Sequence, residues 1–281
     1  MFLKITIAQT KFLLKSKEAI IVFSILLMLV ICNFVGNVLE FQGLDVTAMY
    51  HPMKLLTLSY NKSIYDASAV IVFTQLFPLL VAFPAGFSYV KEHQTREEIY
   101  LVSRIGKSLY YTSNMVSAFL CTAIVFSVPF LIEIGLNCIS FPLQASGDFT
   151  NMNIYNAEYI SSVRGYLFSD LYISAPIIYA VVMTVLMGIV SGMLGMFTVA
   201  FSYVFTVKYR VLLVLPVYLL LGLLGYADNF LPEEAARINW FHYLLLFDYS
   251  EKSEVYMLYF AVVIVVFVLL STMRRRKGNV Y

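Results

Sequence analysis

The sequence predicts an all-α, polytopic membrane protein with six transmembrane helices, an interfacial amphipathic helix ahead of them and a short helix in an inner loop. Three observations predict it. Sixty per cent of the 281 residues are apolar or aromatic and only 13% are charged, whereas a soluble domain carries about 25% charged residues to cover its surface. Six apolar stretches reach, or nearly reach, the length that crosses a hydrocarbon core of about 30 Å. The basic residues alternate in density from one inter-span segment to the next, the pattern that orients a membrane chain.

Residues 1–18 come first. Lys4, Lys11, Lys15 and Glu18 recur at spacings that share one helical face, while Phe2, Phe12 and Leu13 point elsewhere. That pattern predicts an amphipathic helix at the membrane surface. The apolar run 19–39 is too long for the core of a secretory signal and is followed by no small-x-small cleavage site, so it reads as an uncleaved first span. N-myristoyl and C-terminal prenyl motifs are absent, since residue 2 is Phe2 and the chain ends in Val280 and Tyr281.

The remaining spans are read at 69–90, 110–139, 172–207, 211–226 and 255–272. The fourth would measure about 54 Å as one straight helix at 1.5 Å per residue, so it must tilt, bend or project. Its Gly188, Ser191, Gly192 and Gly195 form a small-residue face that contains G-x-x-x-G and permits close helix approach, within one subunit or across a dimer. The fifth is short. Beyond it, residues 232–247 are expected to form an external re-entrant helix, with Trp240 and Tyr243 suited to an interface. The outer loop 141–170 is long enough for an ordered flap.

Orientation follows from lysine and arginine. With the N-terminus inside, the inner segments hold Lys4, Lys11, Lys15, Lys17, Lys91, Arg96, Arg104, Lys107, Lys208, Arg210, Arg274, Arg275, Arg276 and Lys277, fourteen of the 19 basic residues. Both termini are therefore read as cytoplasmic, in a plasma (inner) membrane. The cluster Arg274 to Lys277 reads as a topology signal that contacts anionic lipid.

The inner loop after span two reads Lys91-Glu92-His93-Gln94-Thr95-Arg96-Glu97-Glu98-Ile99-Tyr100-Leu101-Val102-Ser103-Arg104-Ile105-Gly106-Lys107. Thr95 and Glu98 have capping-box spacing, so a helix is predicted over 96–105, with its early acids at the positive dipole end and Gly106 as its stop. Leu101, Val102, Ile105 and Leu109 would line one side, with Arg96, Tyr100 and Lys107 opposite. Such a helix is a handle for another protein or rests on lipid headgroups.

Chemistry is sparse. No phosphate-binding G-x-x-x-x-G-K-[ST] loop, H-E-x-x-H or G-x-S-x-G occurs in the sequence, so no catalytic, cofactor or metal residue is assigned and no nucleic-acid partner is expected. Cys32, Cys121 and Cys138 lie in or beside apolar runs with no disulfide or metal spacing, and His51, His93 and His242 read as scattered surface or interfacial residues. Glu133 is the exception among the spans. An ionisable residue at membrane depth is a functional candidate, here either a solvated or paired group near the interface or a proton relay.

Taken together, the interfacial first helix, six spans with both ends inside, the external segment between spans five and six and the stretch Glu97-Glu98-Ile99-Tyr100-Leu101-Val102-Ser103-Arg104 resemble the membrane subunit of an ATP-binding-cassette exporter of the type-2 permease class. The resemblance implies that the helix 96–105 is the coupling helix, with Glu97, Glu98, Tyr100, Leu101 and Arg104 meeting a separate nucleotide-binding ATPase subunit. ATP and magnesium would sit in that subunit, and none in this chain. It also implies a second permease copy, identical or related, and a substrate path along spans two and five, where Gln75, Phe77 and Tyr218 are candidates beside Glu133. The competing classes are a secondary transporter, a membrane enzyme and a receptor or sensor. A secondary transporter calls for several buried ionisable groups and broken midplane helices, and an enzyme for a polar cluster at one depth.

Overall fold

The structure of the chain, a computed structural model, describes residues 1–46, 49, 51–59, 67–143, 167–205, 209–230, 239–244 and 254–277. These form α1 (Phe2–Leu14), α2 (Lys17–Phe41), α3 (Ala67–Gln94), α4 (Glu97–Ile105), α5 (Lys107–Ser140), α6 (Ser169–Ser174), α7 (Pro176–Val204), α8 (Val214–Asp228), α9 (Trp240–Leu244) and α10 (Glu254–Lys277). Short 3₁₀ turns occupy Pro52–Leu55 and Arg210–Leu213. No β-strand occurs among the described residues. Six helices are long and apolar enough to cross a membrane, matching the six predicted spans.

Local chemistry sets the breaks. The predicted unit 1–18 divides at Ser16, whose extended backbone and hydroxyl, accepting from the Ala19 amide at 3.2 Å, open α2 as a separate helix. The long fourth stretch breaks at Ala175, where φ −151° and ψ 78° precede Pro176. Proline crowds the residue before it out of the helical region and is itself suited to the first turn of the next helix. The short fifth span gains a turn from Arg210–Leu213, which makes the apolar segment 18 residues long.

Helices α3, α5 and α7 are the most buried spans, and α2, α8 and α10 lean against them with most of their apolar residues facing outward. The small-residue face of α7 packs on α5 within the chain. A Cβ on Gly192 would stand 2.8 Å from the Phe119 carbonyl oxygen, and Gly188 and Gly195 similarly face Ser127 and Thr122. Helix α1 packs along α5 through its threonines. Thr6 and Thr10 are buried, the Ser117 hydroxyl donates to the Thr6 carbonyl at 3.0 Å, and Leu3, Ile7 and Phe12 are exposed with Lys4, Lys11 and Lys15.

Of the external segment 232–247, residues 239–244 are described. Trp240 stacks on Phe77 of α3, with ring centroids 5.6 Å apart and planes 19° from parallel, so it packs on the bundle. The other residues of that segment, and residues 144–166 of the loop 141–170, lie outside the described residues.

Candidate functional site

The connection from α3 to α5 builds the first of two polar clusters. The Thr95 hydroxyl donates back to the Lys91 carbonyl at 2.9 Å and to that of Glu92 at 3.3 Å, closing the end of α3. Arg96 then adopts a left-handed conformation, φ 62° and ψ 13°, and α4 begins at Glu97 with no side-chain cap. The predicted capping box between Thr95 and Glu98 is therefore not formed. The threonine hydroxyl is used by the preceding helix, and the start of α4 is one residue too late for the box spacing. Gly106, at φ 86°, both ends α4 and opens α5, a conformation that glycine adopts without a Cβ penalty.

Glu98 turns inward and is 1% exposed. Its carboxylate accepts from Tyr111 of α5 at 2.5 Å and from Tyr89 of α3 at 3.4 Å. The Arg275 guanidinium of α10 lies 3.2 Å and 3.3 Å from its two oxygens. His93 Nδ1 lies 2.5 Å from Oε2, and because an ionised carboxylate only accepts, Nδ1 carries the proton in this arrangement. Burial pushes the Glu98 carboxyl upward, but the Tyr111 and His93 hydrogen bonds and the Arg275 and His93 charges outweigh it and hold the group below the usual glutamate value.

Tyrosines wall the cluster. Tyr203 of α7 meets Tyr89 and Tyr111 edge-on, at centroid distances of 4.5 Å and 5.3 Å, and accepts from the Asn114 amide at 3.3 Å. The Tyr110 hydroxyl donates to Glu92 at 2.6 Å. One carboxylate on α4 thus gathers the ends of α3, α5 and α10, and Tyr203 adds α7.

This geometry sorts the predicted partner contacts. Glu98 is fully committed inside the chain and offers nothing to a partner. Leu101 is half-buried against the core and Val102 is buried, as the predicted apolar side requires. Glu97, Tyr100 and Arg104 point outward, Tyr100 with 72% of its surface exposed. Arg275, read as part of a lipid-facing basic cluster, is drawn inward because α10 stays helical through the cluster and delivers it to Glu98. His93, read as a scattered surface residue, is in the same network.

The second cluster surrounds Glu133, also 1% exposed. Its Oε1 accepts from the Thr57 amide and hydroxyl, each at 2.7 Å, and from the Asn33 amide at 2.6 Å. Asn33 and Asn37 donate to the Leu55 carbonyl at 2.9 Å and 2.7 Å, and Asn137 donates to that of Pro52 at 3.3 Å. The turn after α2 is thereby held between α2 and α5 by two polar pairs at i, i+4 spacing, Asn33 with Asn37 and Glu133 with Asn137. Glu133 is thus a buried, hydrogen-bonded group.

The substrate-path candidates do not form one site. The Tyr218 hydroxyl of α8 donates to the Gln75 carbonyl of α3 at 3.1 Å, one turn before Pro78 within that helix, and both residues are exposed. Phe77 is buried beneath Trp240, and Glu133 belongs to the cluster just described. Cys32, Cys121 and Cys138 are free thiols, and no metal-binding group of side chains occurs among the described residues. Compared with known proteins, the chain matches no protein-family model, no curated protein and no solved structure.

Proposed function

We propose that this chain is the membrane-spanning permease subunit of an ATP-binding-cassette exporter of the type-2 permease class, driven in trans by a nucleotide-binding ATPase that seats on α4. The observation that carries the reading is the two-sided character of α4. Its outer face offers Glu97, Tyr100 and Arg104, while its inner face is tied through Glu98 to three transmembrane helices. A push on the outer face is delivered to α3, α5 and α10 together, which is what a coupling helix requires. Two such permeases pair, both termini are cytoplasmic, and the substrate is a peptide, lipid or drug-like molecule. The topology is supported by the contact between Arg275 and Glu98, which brings two segments read as inner to one end.

The test is co-purification of a soluble ATPase with the tagged chain from its native membrane. Tyr100→Asp places a charge in the partner contact without touching the Glu98 network. A buried unpaired charge costs several kcal/mol, and each 1.4 kcal/mol is about tenfold in affinity, so the ATPase should be lost while the chain inserts normally. Retention of the ATPase and of transport by Tyr100→Asp means that α4 does not carry the contact.

A further inference from the structure

A cavity of about 560 Å³ lies between α3, α7, α8, α9 and α10, apart from both polar clusters. Its walls are hydrocarbon and thioether, with Met183, Met187 and Met193 from α7, Leu224 from α8 and Met257 from α10. The stacked pair Phe77 and Trp240 forms the wall toward α3. The cavity is partly open, since Ile189 of α7 and Tyr259 and Val263 of α10 line it and are exposed. Polar atoms are few, on Trp240, Tyr243, Tyr256, Tyr259 and Glu254. Glu254, in the first turn of α10, is the only charged side chain among the described residues that line it.

Water is a poor occupant, because a buried water needs two to four polar partners and an apolar cavity of roughly 150 Å³ already stays dry and takes up benzene. The volume falls in the range of about 300–1,000 Å³ found for small-molecule sites. Methionine walls adapt to chains of varied shape. We propose that this cavity binds the hydrocarbon chain of a single-chain amphiphile with a cationic head group, which enters from the bilayer and leaves its head at Glu254. The proposal is independent of the ATP-driven reading.

Trp240 is the single tryptophan of the chain, so intrinsic fluorescence reports on this cavity. Full-length protein in nanodiscs of zwitterionic lipid is titrated with a trimethylammonium amphiphile carrying a nitroxide on its chain. A parallel titration uses a phosphatidylcholine with the same nitroxide at the same depth, which reports the surrounding bilayer. The amphiphile should quench saturably, at a mole fraction at least about tenfold below that giving equal quenching by the phospholipid, a difference of about 1.4 kcal/mol. Met187→Phe, with Leu224→Phe as a second filling variant, should abolish the saturable phase and leave quenching by the phospholipid unchanged, which also reports an intact fold. Glu254→Gln should keep the saturable phase and remove the preference for the cationic head over an uncharged one. Quenching that rises linearly and equals that of the phospholipid overturns the proposal, as does a saturable phase that survives both filling variants. Equal saturable affinity for a carboxylate head overturns the assigned head group.

Discussion

The Glu98 end of the bundle and the Glu133 end each enclose one carboxylate at 1% exposure, and they satisfy it by different means. Among the described residues Glu133 accepts from the Asn33 amide and from the amide and hydroxyl of Thr57. Glu98 is met by Arg275, by His93 and by two tyrosine hydroxyls, contributed by three helices other than its own. Neutral donors fasten a turn to two helices and lose little individually. A buried ion pair behaves differently, because removing one partner strands the other charge in a poorly solvated site. Strain applied at the Glu98 end therefore reaches several helices at once, whereas the described bonds of Glu133 fasten the turn after α2 to α2 and α5.

The largest test of that contrast is Arg275→Ala. Breaking a buried pair costs roughly 3–5 kcal/mol, and the expected loss lies near the lower figure because the Arg275 side chain keeps 19% exposure and His93 stays in place. Thermal unfolding in detergent measures it. Trypsin should also cut faster at Arg96 and Arg104, the exposed basic residues flanking and ending α4. Glu98→Gln combined with Arg275→Gln should lose less than the sum of the two single changes, since neither charge is then stranded.

Glu133→Gln comes next. It keeps an acceptor for Thr57 and Asn33 but removes the charge that strengthens those bonds, so the expected loss is about 1–2 kcal/mol. Unfolding should show it with no change of trypsin sensitivity at α4. A change there would erase the distinction between the two ends.

Acid should loosen the Glu98 end, and by less than Arg275→Ala, because protonation removes the charge instead of stranding it. The folded carboxyl titrates below its ordinary value of about 4.3. Its contribution is thus complete above that pH and is lost as pH falls through the lower folded value. Hydrogen exchange of the α4 amides, corrected for intrinsic rate, should rise as pH falls below the ordinary glutamate value, and Glu98→Gln should abolish that rise.

The smallest effect belongs to Thr95→Ala. A lost helix cap costs about 1 kcal/mol, but the Thr95 hydroxyl is exposed and bonds back into α3, so the expected change is within about 0.5 kcal/mol. A loss near the cap value would restore the capping box.

Legibility followed the range of the interaction. The six spans were readable because each is a property of consecutive apolar residues, and so was the split of α4 into an outer side at Tyr100 and an inner side at Val102. The breaks at Ser16 and at Ala175 had local signals too, a serine ahead of an acidic first turn and a proline. The clusters were read less well. Glu133 stood out as a carboxylate in an apolar run, but its partner Asn33, and Asn37 and Asn137 that hold the same turn, were visible only as i, i+4 polar pairs on otherwise apolar helices. His93 and Arg275 gave no sign of meeting Glu98, since Arg275 is 177 residues away along the chain.

The sequence by itself determined that this is a helical chain with six membrane-competent spans, because hydropathy and helix length act within a single segment. It also determined where the small-residue face of α7 lies. Only the tertiary structure decided what that face packs against, and that Arg275 turns toward Glu98 although it sits in a cluster resembling a lipid anchor. The reason is physical: a buried charge takes whichever opposite charge the packing brings within reach, and the packing of α10 beside α4 and α5 is set by surfaces far apart in the chain.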